Sequence, residues 1–224
     1  MNNYHYIIAS LPILSQNKGD SSFNYQKIRD EIASQLSKED LKEVSLFEKG
    51  FNSEALNESY YKEVTKSSNK FLRLYYLLDM AIRNKKVENL AESIYGASAA
   101  EKIEKYTVSL PADPLNAYKE PEDTEASLDK FDTQALDSIF SLTDILEKEK
   151  RLDDFKWEKI NSFTKFDFFN LSSVLAFLAK GNMIQRWNKL DAAKGKELFK
   201  RLIDEVRGTF NKDKLIYKID EHNG

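Results

Sequence analysis

The chain has 224 residues, no cysteine, and 34 Lys plus Arg against 37 Asp plus Glu, for a formal charge of -3. The lack of cysteine excludes disulfide scaffolds, thiolate nucleophiles and cysteine-type zinc sites, and a charge this close to neutral supplies no overall basic field for nucleic acid or an acidic membrane. Seven Gly and four Pro in a chain that is 41% hydrophobic and 32% charged leave little for tight turns, so the predicted class is all-α and multi-helical.

The opening MNNYHYIIASLPILSQ carries apolar residues on both parities, so periodicity does not separate a strand from a helix. Pro12 biases Leu11 away from helical geometry and places a boundary there. No basic n-region precedes the short apolar patch YIIA, so no secretory signal is read and the expected location is cytoplasmic. Residues 15–24 read as a loop from their Gly, Ser, Asn and Asp content. Over 25–36 the spacing of Ile28, Ile32 and Leu36 predicts a helix, and Ser37 with Asp40 reads as a capping box for a second short helix through Leu41, Val44 and Phe47. Gly50 ends that unit, and Ser53 is placed to cap the next helix near Glu54.

Residues 60–94 form one long periodic segment with Tyr61, Val64, Phe71, Leu74, Tyr75, Leu78, Ile82 and Val87 on a core stripe. Asp79 and Arg83 lie four apart in the order that supports a helix. They read as a surface ion pair worth roughly 0.3–0.5 kcal/mol, in preference to a catalytic pair, which needs a converging partner. After Gly96 a short helical stretch runs to Tyr106. Pro111, Pro114 and Pro121 then stand among acidic residues, which divides the chain into a helical unit over 1–110, a Pro-rich acidic linker over 111–127 and a second helical unit over 128–224. The acidic run at 120–125 lacks the ligand spacing and the Gly of a calcium loop and reads as solvation.

From residue 128 helix returns, with Leu136, Ile139, Phe140, Leu142, Ile145 and Leu146 as an apolar face, and the charged EKEKRLDD that follows reads as a solvated extension or a turn. Residues 157–190 are the densest apolar stretch. Trp157, Ile160, Phe163, Phe166, Phe169, Leu171, Val174, Leu175 and Leu178 recur mostly at three- or four-residue spacing, and between Phe166 and Ala179 the opposite face is largely apolar too, which predicts a central core helix. Its apolar run is far too short to span a bilayer, so no membrane insertion is expected. Residues 192–208 read as a further amphipathic helix before a polar tail. A weak echo at 88 residues lays Leu72, Tyr75, Leu78, Asp79 and Met80 over Ile160, Phe163, Phe166, Asp167 and Phe168; taken as real, it makes two related helical halves.

Constellations for catalysis are mostly missing. His5 and His222 lie near the two ends, and AKGKEL lacks the upstream Gly and the Ser or Thr of a phosphate loop, so neither metal, nucleotide nor other cofactor is expected, and no enzyme activity. Asp167 and Asn170 interrupt an apolar segment three residues apart. The first reading makes Asp167 the N-cap of a helix beginning at Phe168; the second buries both and has them specify a neighbour or partner. Lys180, Arg186 and Lys189 with Trp187 form a basic and aromatic patch, equally readable as a partner contact or as a solvated helix end.

The opening YHYIIASLP, residues 71–84 (FLRLYYLLDMAIRN) and residues 149–191 resemble an uncharacterised bacterial family associated with V/A-type ATPase gene clusters, a likeness that extends over nearly the whole chain. KFDFFNLSSVLAFLAKG is also similar to the Asp-x-x-Asn helix signature of the C (or d) subunits of V/A-type ATPases, with Asp167 and Asn170 as the matching pair. The resemblance implies helical units like those of the V-type ATPase C subunits and a non-catalytic socket between the central shaft and the membrane rotor ring, peripheral to the membrane through the complex, with those shaft and ring subunits as partners. The chain is shorter than such subunits usually are and would hold fewer repeats. On this reading the contact residues are Asp167, Asn170, Arg186 and Trp187, supported by Asp79 and Arg83. The rival reading is a stand-alone helical enzyme or ligand-binding domain with a pocket lined by Tyr75, Tyr76, Phe166 and Phe169.

Overall fold

The computed structural model describes residues 4–15, 23–108 and 130–189. Among these residues there are nine α-helices, two short 3-10 turns and no strand. The helices are α1 (Tyr4–Ser10), α2 (Tyr25–Ala33), α3 (Lys38–Lys49), α4 (Glu58–Val64), α5 (Lys70–Tyr95), α6 (Ala99–Tyr106), α7 (Lys130–Phe140), α8 (Ile145–Phe163) and α9 (Leu171–Asn188). The expected loop at 15–24 lies mostly outside the described residues, as do nearly all of the linker and the helix expected at 192–208.

Short polar side chains begin these helices by accepting from the free N–H groups of the first turn. Asn24 accepts from the Lys27 N–H, Ser37 from Asp40, Asn57 from Tyr60, Asn69 from Leu72 and Asn170 from Ser173. Asp144 accepts from both Leu146 and Glu147 at the start of α8. The Ser37 cap agrees with the sequence, and α1 stops at Ser10, just before Leu11 and Pro12. Ser53 caps nothing: Asn52 caps a 3-10 turn at Ser53–Ala55, and Asn57 opens the next α-helix. The segment 60–94 is two helices, because Asn69 ends the run by starting a new one. Gly96, at φ +51, takes a backbone conformation open chiefly to glycine and turns α5 into α6. α6 then runs back along α5, where the Asn84 amide both donates to the Val108 carbonyl and accepts from its N–H.

The expected single helix at 157–190 is broken. Trp157 to Phe163 belong to α8, the chain turns at 164–170, and α9 begins at Leu171. The charged EKEKRLDD is helix rather than an extension or a turn, because Leu152, Ile160 and Phe163 with the buried Asp153 give α8 a core-facing stripe. Ile145 and Leu146, expected on an apolar face, are 77% and 63% exposed at the start of α8. The echo at 88 residues pairs the interior of α5 with a stretch running off the end of α8 into the turn, so the two are not equivalent units.

α9 is the centre of the molecule. Val174, Leu175, Leu178 and Ala179 are fully buried, and the helix packs on α1, α2, α3, α5 and α8. Gly181 lets it lie against Phe23 and Tyr25. One buried cluster runs from Ile7 through α2 to α5 and on to Leu136, Leu152, Ile160 and Met183, so helices from both sides of residues 109–129 share a core. Its aromatic part surrounds Phe47, whose ring centroid lies 5.1 Å from Tyr75 and 5.4 Å from Tyr76. Tyr60 meets Tyr76 edge-on at 5.1 Å. Two hydroxyls of this cluster are satisfied by backbone: Tyr60 Oη donates to the Leu46 carbonyl and Tyr76 Oη to the Phe47 carbonyl.

Candidate functional site

The turn joining α8 to α9 is the most distinctive surface feature among the described residues. Thr164 ends α8 by returning its hydroxyl to the Ile160 carbonyl at 2.8 Å. Asn170 then does two things at once: its Oδ1 accepts from the Ser173 N–H at 3.1 Å, and its Nδ2 donates to Asp167 Oδ1 at 2.6 Å. The Ser173 hydroxyl closes the ring by donating to the Asp167 carbonyl at 2.7 Å. Asp167 therefore does not cap a helix at Phe168. The cap is Asn170, and Asp167 holds the cap from outside.

With its polar groups committed inward, the turn presents its aromatic residues outward. Phe166 is 83% exposed, Phe168 66% and Phe169 49%. Phe169 stacks on the His5 ring at 4.1 Å, which ties the turn to α1. Beside the turn lies an open cavity of 420 Å³ walled by Leu11, Trp157, Phe168 and Phe177, with Lys180 among its polar groups. These adjacent exposed aromatic rings make the turn the candidate contact surface. Replacing Asn170 by Ala removes the cap and should cost about 1 kcal/mol. Amide exchange should rise at Ser172 and Ser173 while the α5 interior stays protected.

The remaining predicted contact residues lie elsewhere and are engaged internally. Asp79 is only 7% exposed, so the surface-pair reading is wrong. Its Oδ2 accepts from Arg83 Nε at 2.7 Å and from the Tyr61 hydroxyl at 3.3 Å, and its Oδ1 accepts from Lys156 at 2.6 Å. Burial pushes the Asp79 carboxyl up, but the charges of Lys156 and Arg83 and their hydrogen bonds outweigh it and hold the carboxyl below its ordinary value. One turn away on α8, Asp153 takes hydrogen bonds from both the Arg186 guanidinium and the Trp187 indole of α9. Arg186 and Trp187 thus clamp α9 to α8. Tyr75 sits between the two networks: burial, then the negative charges of Asp79 and Asp153, push its phenol well above the ordinary value.

The structure therefore brings Asp167 and Asn170 together, pairs Asp79 with Arg83, and gathers Arg186 and Trp187 on one carboxylate. It does not merge the three groups into one surface. Nor does it form the rival pocket, since Tyr75 and Tyr76 are core residues whereas Phe166 and Phe169 lie on the exposed turn. Sequence reasoning does not single out Asp153 and Lys156, although their place on the stripe of Leu152, Ile160 and Phe163 marks them as inward-facing. Among the described residues no three His, Cys, Asp or Glu side chains gather to hold a metal ion, and no helix is long and apolar enough to cross a membrane.

No curated protein and no solved structure matches the chain. The family described as protein of unknown function DUF2764 matches it over residues 1–57 and 48–209, which together take in most of its length. The chain belongs to the DUF2764 family.

Proposed function

We propose that the protein is a non-catalytic subunit or accessory factor of a V/A-type ATPase, a helical socket that couples the central shaft to the membrane rotor ring. One observation carries the reading. The residues that resemble the Asp-x-x-Asn signature form a hydrogen-bonded clamp, and that clamp displays Phe166 and Phe168 on the surface. A clamp of this kind holds apolar side chains in water at a fixed geometry, so a partner that covers them meets little conformational cost on binding. The protein works by interface complementarity and transmits torque through a rigid core. It reaches the membrane through its partners, the shaft and ring subunits.

The test is affinity purification of the tagged chain from detergent-solubilised membranes of its native host. Shaft and rotor-ring subunits should be retained at comparable stoichiometry. The double variant F166S/F168S should lose them while its unfolding free energy moves by no more than about 0.5 kcal/mol, since both rings are already exposed. An intact ATPase that purifies without this chain, with the tagged protein alone in the soluble fraction, overturns the proposal.

A further inference from the structure

The cavity beside the aromatic turn contains a cation that makes no ion pair among the described residues. The Lys180 ammonium, half-buried on α9, donates to Asn161 Oδ1 at 2.7 Å and lies 5.3 Å from the centre of the Trp157 ring. Neither partner carries a charge. Elsewhere among the described helices cations meet carboxylates directly: Lys156 and Arg83 on Asp79, Lys159 on Asp132, Arg186 on Asp153 and Arg29 on Glu48. Burial pushes the Lys180 ammonium below its ordinary value. Asp167, the acid on the same wall, takes a hydrogen bond from the neutral Asn170 amide at 2.6 Å and forms no ion pair with Lys180. Lys180 is thus a cation without an ion pair among the described residues, and Leu11, Phe168 and Phe177 form the apolar part of a lining that also holds Asp167.

We propose that this groove between α1, α8 and α9 is a docking site for an apolar segment of a partner protein that carries a carboxylate, and that Lys180 pairs with that carboxylate. Asn161 and Trp157 hold the ammonium in place, so the cation is positioned before the partner arrives. Lys180 changes its hydrogen-bond acceptor from an amide to a carboxylate, and the apolar walls exclude water from the new pair. A protein segment fits better than a small amphiphile, because the groove is open and its lining continues onto the exposed Phe168 and the adjoining Phe166. A small ligand filling the cavity would leave the Phe166 ring in water. The proposal rests on the aromatic turn being a docking surface and is independent of which complex supplies the partner.

The probe is a set of fluorescein-labelled, leucine-rich amphipathic peptides, each with one glutamate at a different polar position, and their glutamine twins. Binding to the full chain is read by fluorescence anisotropy. At least one glutamate peptide should bind about tenfold more tightly than its twin. Lys180→Met, which keeps a long side chain on the helix, should erase that preference, whereas Phe177→Ala should weaken both twins together. A preference that survives Lys180→Met, or no preference at any position, overturns the proposal. So does saturable, Lys180-dependent binding of decanoate by a chain that ignores every peptide, since the occupant is then a small amphiphile. A chain that shows the preference but retains no ATPase subunit removes the ATPase assignment and leaves this site standing. The reverse result removes the site alone.

Discussion

Asp79→Ala should destabilise the protein by about 3 kcal/mol, read as a fall in the denaturation midpoint at unchanged slope. Removing the carboxylate leaves Lys156 and Arg83 turned toward a buried site with no counter-charge, and it strips the Tyr61 hydroxyl of its acceptor. The figure sits at the low end for a broken buried pair because the Arg83 side chain retains 44% exposure and can withdraw its charge into solvent. Asp79→Asn should recover about 1 kcal/mol of the loss by keeping an acceptor without the charge. The same residue sets a pH dependence. Its folded-state carboxyl titrates below the ordinary 3.8, so its contribution is present in full above that pH and is lost as pH falls through the folded value. Acid unfolding of the wild type should therefore steepen below pH 3.8, and the Asp79→Asn chain should lack that component. An unchanged acid limb in the variant would show that Asp79 is not held ionised by its neighbours.

Gly50→Ala should cost a similar amount, about 3 kcal/mol, for a reason unrelated to charge. Gly50 ends α3 with φ -75, which any residue adopts, so its backbone is unstrained. What an added methyl lacks is space: it would lie on the hydroxyls of Tyr76 and Tyr60. Those hydroxyls are fixed by their bonds to the Phe47 and Leu46 carbonyls, and the Tyr76 ring is edge-packed against both Phe47 and Tyr60, so they have nowhere to retreat. The double variant G50A/Y76F separates the two parts of the cost. Removing the Tyr76 hydroxyl should relieve part of the clash, so the pair should be less destabilised than the sum of the single changes in a double-mutant cycle. Strict additivity would mean that the methyl and the hydroxyl do not meet.

What the sequence reveals and conceals follows from the range of each interaction. Pro12, the Ser37 cap and the Gly50 stop act within a few residues and are readable. The stripes of α5 and the burial of α9 are readable as well, because apolar spacing reports a face whatever covers it. The break at 164–170 is hidden because it is composed of core-type residues: Phe166 and Phe169 continue the helical spacing of Ile160 and Phe163, yet neither is buried. Only the chemistry of Asn170 marks the new start, and Asp167 competes with it as a cap candidate. Asp144 carries the same kind of signal before α8, masked by the apolar Ile145 and Leu146. The burial of Asp79 depends on Lys156, 77 positions further on, a pairing that local pattern does not report. Of the candidate site, the Asp167–Asn170 pair is legible as two polar residues three apart in an apolar segment, whereas the inward commitment of Arg186 and Trp187 depends on Asp153.

The central position of α9 has a consequence for synthesis. The helix that fills the space between α1, α2, α3, α5 and α8 is the last of the described helices to leave the ribosome. At about 5–20 residues per second, the interval between completion of α5 and emergence of α9 is some seconds long. During that time the faces of α1, α2, α3 and α5 that pack on α9 lack that neighbour. A nascent chain stalled before residue 171 should therefore hold a general chaperone, and one released after residue 189 should let it go.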